Sequence, residues 1–202
     1  YDGWLLRFAD GYTRRANSVN PLFGSSLDTQ GKIARIESLY GSRQQDSIFK
    51  LTDASYPSSL EAQLDARGYR SEAETSVQVA LLKSSTRQQP EPYHCHKQLT
   101  TAWLDAYMQL NQVPVDYALT LRRMLGMISR RRCFIGLLDA DQHYVALGLG
   151  VLDGDYLGLF DIITAPHLRR QGLAKTLVDS LFMWGHEQGA RRAYLQVMQH
   201  NE

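Results

Sequence analysis

Apolar residues recur along this chain in two rhythms, and the places where the rhythm changes mark out the elements. Leu99, Ala102, Trp103, Ala106, Tyr107 and Leu110 fall three and four apart, as do Ala118, Leu121, Leu125 and Ile128. That spacing predicts two helices, separated by Pro114. From Cys133 the pattern becomes short β-rich runs: Cys133 to Leu138, His143 to Leu152 and Tyr156 to Thr164. Asp139-Ala140-Asp141 and Asp153-Gly154-Asp155 supply the turns, so these three strands form an antiparallel meander. Leu173, Leu177, Val178, Leu181, Phe182 and Trp184 then share one broad helical face, which Gly189 ends, and Ala193 to Met198 is a further strand.

The first ninety or so residues read as a second, degraded copy. Trp4 to Ala9 and Tyr12 to Val19 form a hairpin around Asp10-Gly11. Ile33, Ile36, Glu37 and Tyr40 predict a short helix, and Ile48 to Leu51 a strand. Pro57-Ser58-Ser59-Leu60 opens a helix that ends at Arg67-Gly68-Tyr69, and Thr75 to Leu82 is a last strand. Ser84 to Pro92 has linker composition. The expected organisation is a degenerate half over residues 1–83, a linker over 84–97 and a main domain over 98–202.

Chemistry concentrates where the third strand of the meander runs out. After Ile162-Ile163-Thr164, Pro166 turns the chain, and the basic loop Arg169-Arg170-Gln171-Gly172 opens directly into the helix begun by Leu173-Ala174-Lys175. The first N–H groups of a helix lack intrahelical acceptors, and the macrodipole places partial positive charge there. Such a junction binds anions, phosphate above all. Neither G-x-x-x-x-G-K-[ST] nor G-x-G-x-x-G is present, which argues against a nucleoside-triphosphate loop and a dinucleotide fold.

The spacing here is R-x-x-G-x-A, from Arg169 to Ala174. It resembles the coenzyme A pyrophosphate loop of the GNAT superfamily of N-acetyltransferases, [QR]-x-x-G-x-[GA], and the resemblance covers roughly Arg130 to the end of the chain. It implies an α/β (α+β) fold with a mixed, mostly antiparallel sheet flanked by helices. It also implies acetyl transfer from acetyl-coenzyme A to a primary amine by direct attack, with no metal. Backbone groups of Ile162, Ile163 and Thr164 would pair with pantetheine, and an N–H there would hold the developing oxyanion. Arg169, Arg170, Gln171, Gly172, Leu173, Ala174 and Lys175 would cradle the pyrophosphate. Asn201 stands where the family often has an asparagine touching the cofactor. Asp161 is the candidate base, with a solvated or salt-bridged carboxylate as its other reading; His167 is a second candidate, more at home over the phosphates. The family's usual acid, a tyrosine on the helix after the last strand, would lie beyond Glu202. L-D-A-R-G-Y near Tyr69 resembles the close of such a domain, and a tandem of one active and one degenerate copy resembles several bacterial members.

Composition narrows the alternatives. The chain has 202 residues, 21% of them charged, with a formal net charge of +1. No global field points to nucleic acid. No apolar run approaches a membrane span, and no signal peptide is visible. The chain begins without Met and ends directly after a strand, which has two readings: an absent terminal segment, the favoured one, or an N-terminal half that supplies packing for an otherwise open sheet. Cys95 and Cys133 are far apart and in no C-x-x-C arrangement, which predicts free thiols and a cytoplasmic setting. His94-Cys95-His96 falls short of a closed zinc set. Arg130-Arg131-Arg132 reads as a solvated start of a strand, and Trp4, Trp103 and Trp184 as core. A homodimer is compatible with this sequence. Two rivals to an enzyme stay open: a sensor that holds an acyl-coenzyme A without turnover, and a scaffold.

Overall fold

The computed structural model describes residues 1–82 and 93–199. They divide into two units, Tyr1–Glu72 and the chain from Ala73 onward.

In the first unit, β1 (Trp4–Leu6) pairs antiparallel with β2 (Val19–Pro21), Trp4 opposite Pro21. The hairpin is shorter than its apolar pattern predicts because Asn17 takes over the ladder. Its Oδ1 accepts from the N–H groups of Ala9 at 2.7 Å and Gly11 at 3.1 Å, and its Nδ2 donates to the Thr13 carbonyl at 2.8 Å. The expected strand at Ile48 to Leu51 reduces to a single parallel bridge, Val19 to Phe49. Helix α1 (Thr29–Gly41) is capped by Asp28, which accepts from the Gly31 N–H, and α2 (Leu60–Ala66) follows. Trp4, Val19, Ile33, Ile36, Tyr40, Leu60 and Leu64 form the core. Lys32 is buried among them. Its ammonium lies 3.9 Å above the Trp4 ring, 2.6 Å from the Asp2 carbonyl and 3.2 Å from the Asp2 carboxylate. Burial lowers the Lys32 pKa, while the backbone N–H groups of Ser26 and Leu27 hold the Asp2 carboxyl well below the usual carboxylate range.

The second unit is a six-stranded sheet flanked by helices. β3 (Thr75–Leu81) and β4 (Tyr93–His96) lie at its two edges. Between them run β5 (Arg132–Leu138), β6 (Tyr144–Asp153), β7 (Tyr156–Thr164) and β8 (Arg192–Met198), in the order β3-β8-β7-β6-β5-β4. Two features differ from the sequence boundaries. β3, read as closing the first half, pairs antiparallel with β8 from Thr75 opposite Met198 to Leu81 opposite Arg192, so the division falls after Glu72. Part of the expected linker is β4, paired with β5. Alternation identifies a strand but not which sheet receives it.

The β4–β5 pairing also corrects the free-thiol expectation. Cys95 and Cys133 are joined in a disulfide, with Cα atoms 5.6 Å apart across 38 residues of sequence. The support that free thiols lent to a reducing compartment is thereby removed. Among the described residues, no helix is long and apolar enough to cross a membrane.

Two helices sandwich the sheet. On one face lies α3 (Thr101–Leu110), whose Trp103 packs edge-on against Phe134 at 5.1 Å and donates its indole N–H to the Ile135 carbonyl at 2.9 Å. Thr100 caps α3 by accepting from the Trp103 N–H, and α4 (Ala118–Gly126) follows with Leu121 and Leu125 buried. The opposite face carries α5 (Leu173–Glu187), whose Leu177 and Leu181 cover Cys133, Ile135, Leu157 and Leu159. A Cβ at Gly148 would stand 2.7 Å from Ile162 Cδ1, and one at Gly150 would stand 2.8 Å from Leu181 Cδ2. Bare backbone at these two positions lets α5 settle onto β6.

Candidate functional site

The site is built by a strand that loses its neighbour. β7 and β8 pair in parallel at Tyr156–Arg192, Leu157–Ala193 and Gly158–Tyr194. There the ladder ends, although β7 continues to Thr164 and β8 to Met198. Past Gly158 the edge of β7 that faces β8 has no strand beside it among the described residues. Backbone donors and acceptors there are available to an extended ligand.

On its other edge, β7 carries a bulge. Leu149 faces Phe160 and Leu147 faces Ile163, so Asp161 and Ile162 together oppose Gly148. Asp161 has φ of 53°, a left-handed conformation that a non-glycine residue seldom adopts. The bulge redirects the side chains. Leu159 packs beneath α5, and regular alternation would send Asp161 to that same apolar face. Instead Ile162 packs there, beside Leu181. Asp161 turns towards α3, where its Oδ1 accepts from the Tyr107 hydroxyl at 3.1 Å. Asn111, one turn further along, donates its Nδ2 to the Tyr107 oxygen, also at 3.1 Å.

Beyond Thr164 the chain makes a single 3-10 turn, Pro166–Leu168, and runs extended at Arg169. Arg170 and Gly172 have positive φ, 65° and 85°. Gly172 is the N-cap of α5; it has no side chain to cap with, and a Cβ added there would meet nothing within 4 Å. The Thr176 N–H donates to the Gly172 carbonyl, so the N–H groups of Leu173, Ala174 and Lys175 precede the intrahelical ladder. No acidic residue occupies the first turn. Arg169, Arg170, Gln171, Ala174 and Lys175 are exposed around this positive end, while Leu173 is half-buried against the core. Lys175 Nζ lies 2.5 Å from Asp179, which moderates its charge. At the start of the loop, the Thr164 hydroxyl oxygen is buried with no hydrogen-bond partner among the described residues. This donor set is suited to an anion.

The structure thus brings Ile162, Ile163 and Thr164 onto one strand that ends at the basic loop and the α5 N-terminus. Asn201 lies outside the described residues. His167 is exposed and, with Ala165, lines a cleft of about 560 Å³ beside α3 that includes Asp105, Asp139 and His143. Asp139, Asp141 and His143 are close enough to share a cation. The Asp139 carboxylate already accepts from the N–H groups of Asp141 and His143, at 3.0 and 2.9 Å, as a turn. His94 and His96 flank a disulfide cysteine on β4. In the arginine run, Arg130 pairs with Asp153 at 3.2 Å and Arg131 donates to Gln188 at 3.1 Å.

Sequence reading missed Tyr107 and Asn111. Their signal was an Asn placed four residues past Tyr107 and eight past Trp103, a polar residue continuing an apolar helical stripe.

Residues 1–202 match a family model described as "Probable histone acetyltransferase Rv0428c C-terminal". The "Uncharacterized N-acetyltransferase YobR" of Bacillus subtilis (strain 168) is 28% identical over 205 residues, covering 98% of this chain and 80% of that protein. A GCN5-related N-acetyltransferase from Kribbella flavida superposes with a TM-score of 0.57 at 11% identity, over 93% of this chain and 74% of that one. Another, from Sphaerobacter thermophilus, gives 0.55 at 16% identity, over 76% of this chain and 51% of that one. This chain therefore spans about half the length of the Sphaerobacter protein. At these identities the structural likeness concerns the fold: a mixed sheet flanked by helices.

Proposed function

This chain belongs to the acetyltransferase family described by the C-terminal region of Rv0428c, and so to the GNAT superfamily; from that membership we propose that it moves an acetyl group from acetyl-coenzyme A to a primary amine by direct attack in a ternary complex. The observation that carries the reading is the unpaired edge of β7 past Gly158, leading straight into an uncapped helix N-terminus ringed by Arg169 and Arg170. Pantetheine fits such an edge because its amides match a missing strand. The pyrophosphate fits the N–H groups of Leu173, Ala174 and Lys175. The buried hydroxyl of Thr164 is left for the cofactor to satisfy.

Once its ammonium proton has been removed, the amine nitrogen attacks the thioester carbonyl carbon, and a backbone N–H of the Ile162–Thr164 segment holds the oxyanion. Asp161, turned off the apolar face by its bulge, accepts the ammonium proton directly or through water. The C–S bond then breaks as the nitrogen of the tetrahedral intermediate sheds its second proton, and the departing thiolate takes up that proton directly or through water. The half before Ala73 is a degenerate copy that binds no coenzyme A in this reading. The acceptor is a small-molecule or peptide amine, and a homodimer is compatible with the proposal.

Asp161→Asn tests the base. It keeps size and most hydrogen bonding but takes no proton, so turnover should fall on the order of a hundredfold. Coenzyme A affinity should hold. Normal turnover with a weakened fold would make Asp161 structural instead.

A further inference from the structure

Asp161 accepts a hydrogen bond from a residue that the fold has immobilised to an unusual degree. Tyr107 is 5% exposed, and its ring stacks on Trp103 with centroids 5.4 Å apart and planes 5° from parallel. Trp103 is fully buried and is itself tied to the Ile135 carbonyl of β5. The Tyr107 oxygen is thus fixed relative to the central strands through ring packing rather than through its own flexible bonds. Asn111, the C-cap of α3, then decides which way the hydroxyl proton points. Its amide N–H occupies a lone pair of the Tyr107 oxygen, which leaves the hydroxyl hydrogen directed at Asp161 Oδ1.

From this geometry we infer that Tyr107 is a positioning residue for Asp161, holding the carboxylate in the one orientation from which it meets the incoming ammonium, with Asn111 fixing the direction of the Tyr107 hydroxyl. The inference rests on the base role proposed for Asp161. An aspartate at a bulge has its backbone set by the strand, while its carboxylate is oriented by two side-chain torsions. A rigidly held donor narrows the rotamers that the carboxylate samples and raises the fraction aligned for proton transfer. A hydrogen bond to a charged acceptor is strong enough to select one of them. The donor sits on α3, opposite the helix that carries the phosphate-binding N-terminus. Loss of the hydroxyl therefore leaves the α5 N-terminus and the β7 edge unaltered.

A mutant cycle tests this. Tyr107→Phe keeps the ring and its stacking on Trp103, so the variant should fold. The expected result is a fall of roughly tenfold in kcat with the KM for acetyl-coenzyme A unchanged. Asn111→Ala should lower kcat by roughly two- to threefold. The decisive arm is Tyr107→Phe combined with Asp161→Asn: a residue acting through Asp161 adds nothing once the carboxylate is gone, so the double variant should equal Asp161→Asn alone. Additive losses would overturn the inference, because Tyr107 would then act independently. A normal kcat for Tyr107→Phe beside a crippled Asp161→Asn would overturn it while leaving the base role intact. A normal Asp161→Asn would remove the base role and the inference together.

Discussion

Gly172 offers a separation of backbone from charge that few sites allow. Its φ of 85° lies in the left-handed region, yet an added Cβ has open space around it. Gly172→Ala therefore meets no clash and costs only the backbone preference, about 1 kcal/mol, which lowers the melting temperature by about 3 °C for a chain of this size. Gly172→Asp pays no more on folding, since Asp tolerates this region better than Ala. It adds a carboxylate at the N-terminus of α5. A carboxylate about 6 Å from a phosphate charge, at an effective dielectric near 20, is disfavoured by about 3 kcal/mol. Coenzyme A should bind on the order of a hundredfold more weakly to Gly172→Asp than to Gly172→Ala. Calorimetric titration at low salt reads the difference, and thermal melts confirm that both variants fold. The wild type should show one site per chain. Because the effect is Coulombic at an exposed site, the gap should narrow at 1 M salt. Equal affinities for the two variants at low salt would refute the assignment of the anion to this helix end.

Two further outcomes follow from other parts of the chain. Asp2 is ionised more readily in the folded chain than in the unfolded one, so it contributes stability that is fully present above the unfolded pKa near 4 and lost as pH falls below it. Asp2→Asn should flatten the loss of urea stability between about pH 4 and pH 2, and should lower stability at pH 7 by leaving the buried Lys32 without its carboxylate; an unaltered acid dependence would contradict the hold of the Ser26 and Leu27 N–H groups on the carboxylate. For the cysteines, thiol titration of the denatured chain should find none before reduction and both Cys95 and Cys133 after it, whereas two reactive thiols at the outset would exclude the bond.

The strand–loop–helix order around the site was legible because each signal is local. Pro166 and Gly172 punctuate the loop, and the threefold and fourfold recurrence from Leu173 to Trp184 marks α5. The bulge was not legible. Leu159-Phe160-Asp161-Ile162-Ile163 is apolar on both faces apart from Asp161, so the sequence leaves the register open, and the register decides which side the carboxylate takes. The same limit hid the partners of β3 and of Cys95. An alternating run such as Thr75 to Leu81 specifies a pleated face, but its docking beside β8, more than a hundred residues later, is settled by the packed sheet. The N-terminal hairpin was overextended for a different reason. Residues Arg14–Ala16 coil into a 3-10 turn because the Asn17 side chain satisfies backbone groups that a ladder would otherwise pair.

The central claim is acetyl transfer at the β7 edge, and amine-dependent release of coenzyme A tests it most directly. The purified chain is given acetyl-coenzyme A, and free thiol is followed with and without a panel of polyamines, amino acids, aminoglycosides and lysine peptides. The account predicts thiol release that requires one class of amine, is matched mole for mole by acetylated amine, and falls on the order of a hundredfold in Asp161→Asn. Tight binding of acetyl-coenzyme A with no amine-dependent release across the panel would contradict it and leave a protein that holds the thioester without spending it.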